Sequence, residues 1–402
     1  MIRDRSVLAL LGGELVSRLG SQIANLALPW FVLVTTGSPT KMTLVFAVEL
    51  VPVVVLGVAA GSLVQRIGPR AAMLIADGVR APVIALVLLL HELGGLTFGL
   101  ILAIAALQGA FSCAYFSCQR VILPAVVGED ERTLGQANTL LEGATNLTQL
   151  LGPALAGILI AFVGAANVMW IDAASFFVAF VLVGAFVHVE RVAHDPAESG
   201  GVLAGFRYLR GDRLVGRVSL TSLTFGFLFP VLVASFSVLA YESYNHNPRI
   251  AGLLLSAIGG GQVVGSLAAF RLVAKFPPLR LESIGLIATA LPLWLLVPHV
   301  PIWLVAPALA IVGCSLPIIN APYITLLQTR VPVALRGKVL QSVITINGVA
   351  GPLAYVIAGP LFVHAGLHVA YAMVAALATV ASANFIFTVL SEPSVPRAQA
   401  AA

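Results

Sequence analysis

The sequence is poor in charge. Asp, Glu, Lys and Arg together make up 10% of its 402 residues, against about 25% in a soluble domain. A chain so short of charge cannot cover a water-exposed surface, which excludes an ordinary soluble protein. Its only cysteines, Cys113, Cys118 and Cys314, lie in apolar stretches, so neither a disulfide framework nor a Cys/His metal site is expected. No Gly-Lys-Ser/Thr loop occurs, so ATP is not an expected energy source. The run Gly259-Gly260-Gly261 with Gly265 follows no strand and reads as a device for close helix approach. All seven histidines sit at the ends of apolar runs or between them, which excludes a histidine relay across a membrane. No Ser-His pair or His/Asp/Glu cluster points to an enzyme, and no cofactor is expected.

What is abundant is apolar sequence. Hydrophobic residues reach 59%, and mean hydropathy is +1.01. Twelve runs are long enough to cross a bilayer as helices: 7–34, 43–64, 71–91, 98–119, 136–163, 167–188, 214–240, 251–274, 280–298, 302–329, 338–363 and 368–390. They are continuous rather than alternating, which favours helices over a β-barrel. Met1 to Arg5 is short and basic and the first run continues as a full span, so no cleaved leader is expected. The net charge of +5 follows membrane topology and not nucleic-acid binding. With twelve spans, Lys41 and Arg249 fall on one face, Arg18 and Arg80 lie inside spans, and every other Lys and Arg falls on the opposite face. That face is expected to be cytoplasmic and to hold both termini. Trp30, Trp170, Trp294 and Trp303 map to outer span ends, as in an aromatic belt.

The polar stretch 189–213 divides six spans from six. It reads as a cytoplasmic linker with a short helix near Leu203 to Leu209. The expected organisation is a first bundle at 1–188, this linker, a second bundle at 214–391 and a tail at 392–402. The halves echo each other at half the chain length. Gly61-Ser62-Leu63 is answered by Gly265-Ser266-Leu267, Gly152-Pro153 by Gly351-Pro352, and Arg120 and Arg132 by Arg330 and Arg336, suggesting two six-span repeats.

The turn GSLVQRIGPR, Gly61 to Arg70, resembles the loop between the second and third spans of major facilitator transporters. Gly61, Leu63, Arg66, Gly68 and Arg70 match that pattern, while Gln65 replaces the usual acid and Pro69 a usual basic residue. ELVP at Glu49 to Pro52, ADGVR at Ala76 to Arg80, GPALAGIL at Gly152 to Leu159, DAASF at Asp172 to Phe176 and RGKV at Arg336 to Val339 extend the resemblance. They are most similar to the branch with macrolide-type and enterobactin-type exporters. The resemblance implies an all-α fold of two six-helix repeats that rock about a central cavity. Spans 1, 4, 7 and 10 would line it, spans 2, 5, 8 and 11 would gate it, and spans 3, 6, 9 and 12 would support it. It also implies a multi-pass protein of the plasma or inner membrane, a monomer, that exports a drug-like small molecule by proton antiport. A siderophore or metabolite exporter, and a non-transporting sensor on the same scaffold, are the alternatives. The Gly-Pro motif at Gly152-Pro153 resembles that of antiporters. Gly61, Gln65, Arg66, Gly68, Arg70, Arg120 and Arg336 would act in gating, with Gln65 a weaker latch on span eleven than the usual acid.

Polar residues inside spans are costly and so informative. Glu14, Arg18, Ser21, Gln22 and Asn25 fall on one face of span one, roughly 100° wide. They read as a cavity wall with Glu14 exchanging protons, or as a structural Glu14–Arg18 pair. Glu49 has no cation at i±3 or i±4, which suits a proton carrier, though it reads as close to the outer end of its span. Glu142, Asn146, Gln149 and Pro153 share a face of span five, with Glu142 a further proton candidate. Asp77 and Arg80 read as an i,i+3 ion pair, and Asp172 as a carboxylate at a helix N-terminus. Gln108, Tyr115, Phe225, Phe229, Asn320 and Gln328 complete the expected cavity lining, where aromatic rings suit a flat or cationic ligand.

Overall fold

The structure, a computed structural model, describes residues 5–127, 131–187, 202–298 and 300–391. It is helical, without strands among the described residues. The first half contains α1 (Arg5–Thr36), α2 (Pro39–Ile67), α3 (Pro69–Glu92), α4 (Phe98–Val127), α5 (Glu131–Val163) and α6 (Ala165–Phe186). After the short α7 (Val202–Gly211) come α8 (Arg213–Ser243), α9 (Pro248–Leu272), α10 (Pro278–Leu293), α11 (Ile302–Arg330), α12 (Val333–His364) and α13 (Gly366–Ser391). All but α7 are long and apolar enough to span a membrane, so the chain is a multi-pass membrane protein. The helices overrun the expected spans at most ends because polar residues continue the hydrogen-bonded spiral beyond the apolar stretch. The ninth span instead closes at Leu293, after Pro292, and ends in a 3₁₀ turn at Trp294–Leu296. The short helix of the linker is α7; residues 189–201 lie outside the described residues, as does the tail.

Helix boundaries follow local chemistry. Gly68, at φ 88°, both ends α2 and precedes α3, and Pro69 occupies the first turn, where its missing N–H is no loss. Asp212 begins α8: its carboxylate accepts from the amides of Leu214 at 3.0 Å and Val215 at 3.1 Å. It also pairs with Arg330 at 3.0 Å, tying α8 to the end of α11.

The two halves repeat one packing scheme. In the first, α1 packs on α5 and α6, α2 on α4, and α3 on α4 and α6; in the second, α8 packs on α12 and α13, α9 on α11, and α10 on α11 and α13. The halves meet mainly through α5 against α9 and α2 against α12. Those seams are close. Gly157 lies against Pro248 and Gly252, Gly252 against the Pro153 carbonyl, and Gly359 against Thr40 and Thr43. Phe46 stacks on Tyr355 with ring centroids 4.8 Å apart. Every one of these contacts lies toward the membrane face that carries the α1–α2 and α8–α9 connections. There the apolar core is shared, with Leu33, Met42 and Ala47 of the first half among residues of the second. At the opposite face each half has a core of its own, around Met73 and Ile122 in one and Leu214 and Val339 in the other. The molecule is closed at one end and divided at the other.

The glycine run lies where α9 meets α11. A Cβ on Gly261 would overlap the Ala310 carbonyl, and one on Gly265 the Cys314 carbonyl. Gly261→Val is expected to cost about 1–3 kcal/mol by forcing the helices apart, seen as a lower unfolding midpoint in detergent. Gly143→Ala, with open space around it, is expected to be neutral or slightly stabilising.

Asp212 supplies a pH test outside the spans. Burial pushes its carboxyl up, but the Val215 amide, the Arg330 guanidinium and the Leu214 amide outweigh it and hold the group below its ordinary 3.8. A lowered folded value means stabilisation that is complete above the ordinary value and lost as pH falls through the folded one. Asp212→Asn, which keeps the cap, is expected to cost about 0.5–1 kcal/mol at neutral pH. The difference from wild type should shrink in melts as pH falls below the ordinary 3.8 and through the lower folded value.

Candidate functional site

Between the halves, open toward the divided end, lie two adjoining cavities of about 360 Å³ each. This is within the range of small-molecule sites, about 300–1,000 Å³. One wall of the first cavity is polar: Arg18, Ser21, Gln22 and Asn25 from α1, Glu49 from α2, Arg80 from α3, Tyr115 and Gln119 from α4, and Gln149 from α5. The second shares Gln22, Asn25, Glu49 and Gln149, and faces Phe46, Phe229, Leu255, Ile258 and Tyr355. The combined chamber therefore has a hydrogen-bonding side in the first half and an apolar, aromatic side largely in the second. A larger cleft of about 740 Å³ opens at the closed end around Trp30, His91 and His246, but none of the intramembrane carboxylates lines it.

The α1 stripe faces the chamber, as its spacing implied. Glu14, however, is buried behind it at 3% exposure in a saturated knot. Arg18 Nε donates to Glu14 Oε1 at 2.8 Å, Tyr115 donates its hydroxyl to Oε2 at 2.7 Å, and the Gln119 amide also donates to Oε1. Arg18 Nη2 donates in turn to Gln119 Oε1 at 2.8 Å. Of the two readings of span one, the ion pair describes Glu14 and the cavity wall describes Ser21, Gln22 and Asn25. Gln119 was not anticipated. Its signal was available, since Gln108, Tyr115 and Gln119 recur at helical spacing on one face of α4.

Glu49 is not near a span end. It lies ten residues into α2, about 15 Å along the axis, and lines both cavities. Gly109 on α4 seats against its carbonyl, so closely that a Cβ would collide. No hydrogen-bond or ion-pair partner holds its carboxylate among the described residues.

The Asp77–Arg80 pair does not form. Arg80 Nε donates to Gln108 Oε1 at 3.1 Å, and its guanidinium lies 3.8 Å over the Phe176 ring. Both Asp77 oxygens are buried without a hydrogen-bond partner. The i,i+3 spacing put the two side chains on neighbouring faces, but Arg80 is drawn toward α4 and α6. Gln108 is correspondingly not in the chamber; it is 5% exposed and also donates to the Arg80 carbonyl at 3.3 Å. Asp172 is not a helix cap: α6 begins after Gly164, and Asp172 sits two turns inside with Oδ1 unpartnered.

The remaining expectations divide. Phe229 lines the second cavity, whereas Phe225 packs into the apolar cores of the second half. Asn320, Gln328 and Glu142 are exposed and line neither cavity, because each lies toward the divided end. Gly152 seats on Gln22, and the Pro153 carbonyl on Gly252, at the α1–α5 and α5–α9 seams. Arg70 donates to the Gly184 carbonyl at 2.7 Å and so binds α3 to α6. Arg66 is exposed, and Arg336 Nε donates to the Val331 carbonyl at 3.1 Å. The side chains of Gln65 and Arg120, and the surroundings of Gly61, lie outside the described residues. Glu282 on α10, buried at 2%, was missed because it stands at the edge of its apolar run.

A sequence profile described as Major Facilitator Superfamily matches residues 10–355. The chain belongs to the Major Facilitator Superfamily. It is a transporter and not an enzyme. A multidrug efflux pump, Tap, of Mycobacterium tuberculosis (strain ATCC 25618 / H37Rv) is 28% identical over 371 residues, covering 90% of this chain and 88% of that protein. A multidrug efflux pump Tap of Mycolicibacterium fortuitum is 27% identical, covering 91% of each. The crystal structure of the nucleoside transporter NupG is similar with a TM-score of 0.77 at 13% identity, over 96% of this chain and 99% of that one; this is a likeness of fold alone. Membership of this family implies a small-molecule substrate.

The Glu14 knot makes a sharp stability prediction. Arg18→Gln leaves a buried carboxylate without its cation and is expected to cost about 3–5 kcal/mol. Combining it with Glu14→Gln should recover most of that loss, a large coupling energy in a double-mutant cycle of unfolding midpoints. Additive losses would show that the two side chains act separately.

Proposed function

We propose that this transporter exports a hydrophobic or amphiphilic, drug-like molecule in exchange for protons by alternating access. The observation that carries this is a chamber with one apolar wall, one hydrogen-bonding wall and a single carboxylate among the described residues, Glu49, facing it without a hydrogen-bonded or ion-paired partner. Such a chamber suits a flat or cationic amphiphile, and a lone membrane carboxylate suits reversible protonation. The relatives' description as multidrug efflux pumps supports the export direction. The clustering of Lys and Arg supports a topology with both termini in the cytoplasm of a plasma or inner membrane. On that topology the divided end faces inward, and the structure is the state that collects substrate from the cytoplasm. We assign bundles at 1–188 and 214–391, joined by the linker 189–213 and followed by the tail 392–402, in a monomer. The α2–α12 and α5–α9 seams at the closed end would part in the alternate state.

The test is lumenal pH in proteoliposomes on addition of lipophilic cations and macrolides. Wild type is expected to give ligand-dependent proton flux, Glu49→Gln to lose at least about tenfold of it, and Glu142→Gln to keep it. Undiminished flux in Glu49→Gln would remove Glu49 from the mechanism.

A further inference from the structure

Behind the polar wall of the chamber lies a group of charges that the reading above does not use. Arg80 lines the cavity with its tip but is 8% exposed. It forms no ion pair among the described residues; its bonds go to the neutral Gln108 and its face to Phe176. Glu49 stands on its cavity side, and Asp77 and Asp172 stand behind it, all three within electrostatic reach of its charge. Asp77 is wholly buried with neither oxygen partnered, and Asp172 is 3% exposed with Oδ1 unpartnered. The other ionisable groups facing this cluster are Glu14 and Arg18 of α1 and Tyr115 and Cys118 of α4. Glu14 and Arg18 neutralise each other.

Charge balance then limits what this group can be. Three carboxylates share one guanidinium. Fully ionised, they would leave two uncompensated negative charges in a low-dielectric interior, which carboxyl groups avoid by retaining protons. Buried carboxyl oxygens without donors are where a full negative charge is least supported by the surrounding protein. Glu14 shows the contrast, with donors on both of its oxygens.

We propose that Arg80 is a shared counter-ion whose charge acts on both Glu49 at the chamber wall and the Asp77–Asp172 pair behind it, so that the aspartates hold a coupling proton. This rests on the antiport reading above. When a cation enters the chamber beside Glu49 and neutralises it, the Arg80 charge is left to compensate an aspartate. An aspartic O–H bond breaks, its electron pair stays on the carboxylate that Arg80 now neutralises, and the proton leaves through the water of the open chamber. One positive charge enters as one departs. Asp77 and Asp172 are the proton-binding residues, and Arg80 is a positioning residue that links them to substrate.

The test has two arms on the purified full-length protein. The first is infrared spectroscopy, in which a protonated carboxyl shows a C=O stretch that a carboxylate lacks. Wild type is expected to show this band at neutral pH; Asp77→Asn and Asp172→Asn should lower it, and Asp77→Glu should restore it. Absence of the band in wild type, or its full retention in both Asn variants, would overturn the proposal. The second arm adds tetraphenylphosphonium, a cation with no proton of its own, and reads proton release with a pH dye in weak buffer. Wild type and Glu142→Gln should release protons, and each Asn variant at most half as many per cation bound. Equal release per bound cation in wild type and both variants would overturn the coupling role. If the band behaves as expected but wild type binds the cation without proton release, the antiport reading fails while the buried proton site stands.

Discussion

A charge inside a bilayer has only protein to stabilise it, and the first six helices are arranged around that constraint. A lone charged side chain at a helix centre costs at least about 2.5–3.5 kcal/mol. The chain answers in two ways within one bundle. At Glu14 it supplies an arginine, a tyrosine and a glutamine, so that the carboxylate is fully bonded. At Arg80 it supplies a glutamine and an aromatic face but leaves both oxygens of Asp77 and Oδ1 of Asp172 without a hydrogen-bond partner. The first arrangement is rigid, because any displacement breaks several charge-assisted bonds at once. The second holds its cation by one neutral hydrogen-bond partner and a ring face, with no carboxylate fixed to it among the described residues. α1 and α4 are fastened by the first, while the chamber wall at α2 and α3 is left adjustable.

The same division appears between halves. Gly157, Gly252 and Gly359 let backbones meet at the closed end, where side chains would hold them apart. Tight packing without hydrogen bonds suits a seam that must open, since in lipid it is held by close contact rather than by a hydrophobic driving force. Within the second half the Gly261 and Gly265 contacts bind α9 closely to α11.

Much of this was legible in the sequence. The number of spans, the all-helical fold and the α1 polar stripe follow from hydropathy and helical period, and the glycine run was correctly read as packing. What was not legible is rotation about each helix axis relative to helices far away in sequence. Asp77 and Arg80 satisfied an i,i+3 rule, but Gln108 and Phe176, distant in the chain, took the guanidinium. Gln108 was placed in the chamber because it is polar, whereas its partner is another buried side chain. Asp172 was counted as near a helix start because the preceding apolar run begins late, yet two helical turns lie before it. Glu142 shares a face with Gln149, but the halves part before reaching it.

The turn that carried the family resemblance bears on the alternate state. Where the family has an acid, this chain has Gln65, and its nearby Arg70 donates to Gly184 within its own half. The side chain of Gln65 lies outside the described residues. The closed end, by contrast, is sealed by a shared apolar core with the Phe46–Tyr355 stack at its edge. That packed seam stabilises the state described here. A ligand that reverses this state must bind the alternate one more tightly, since a ligand shifts such an equilibrium only by binding the two states unequally.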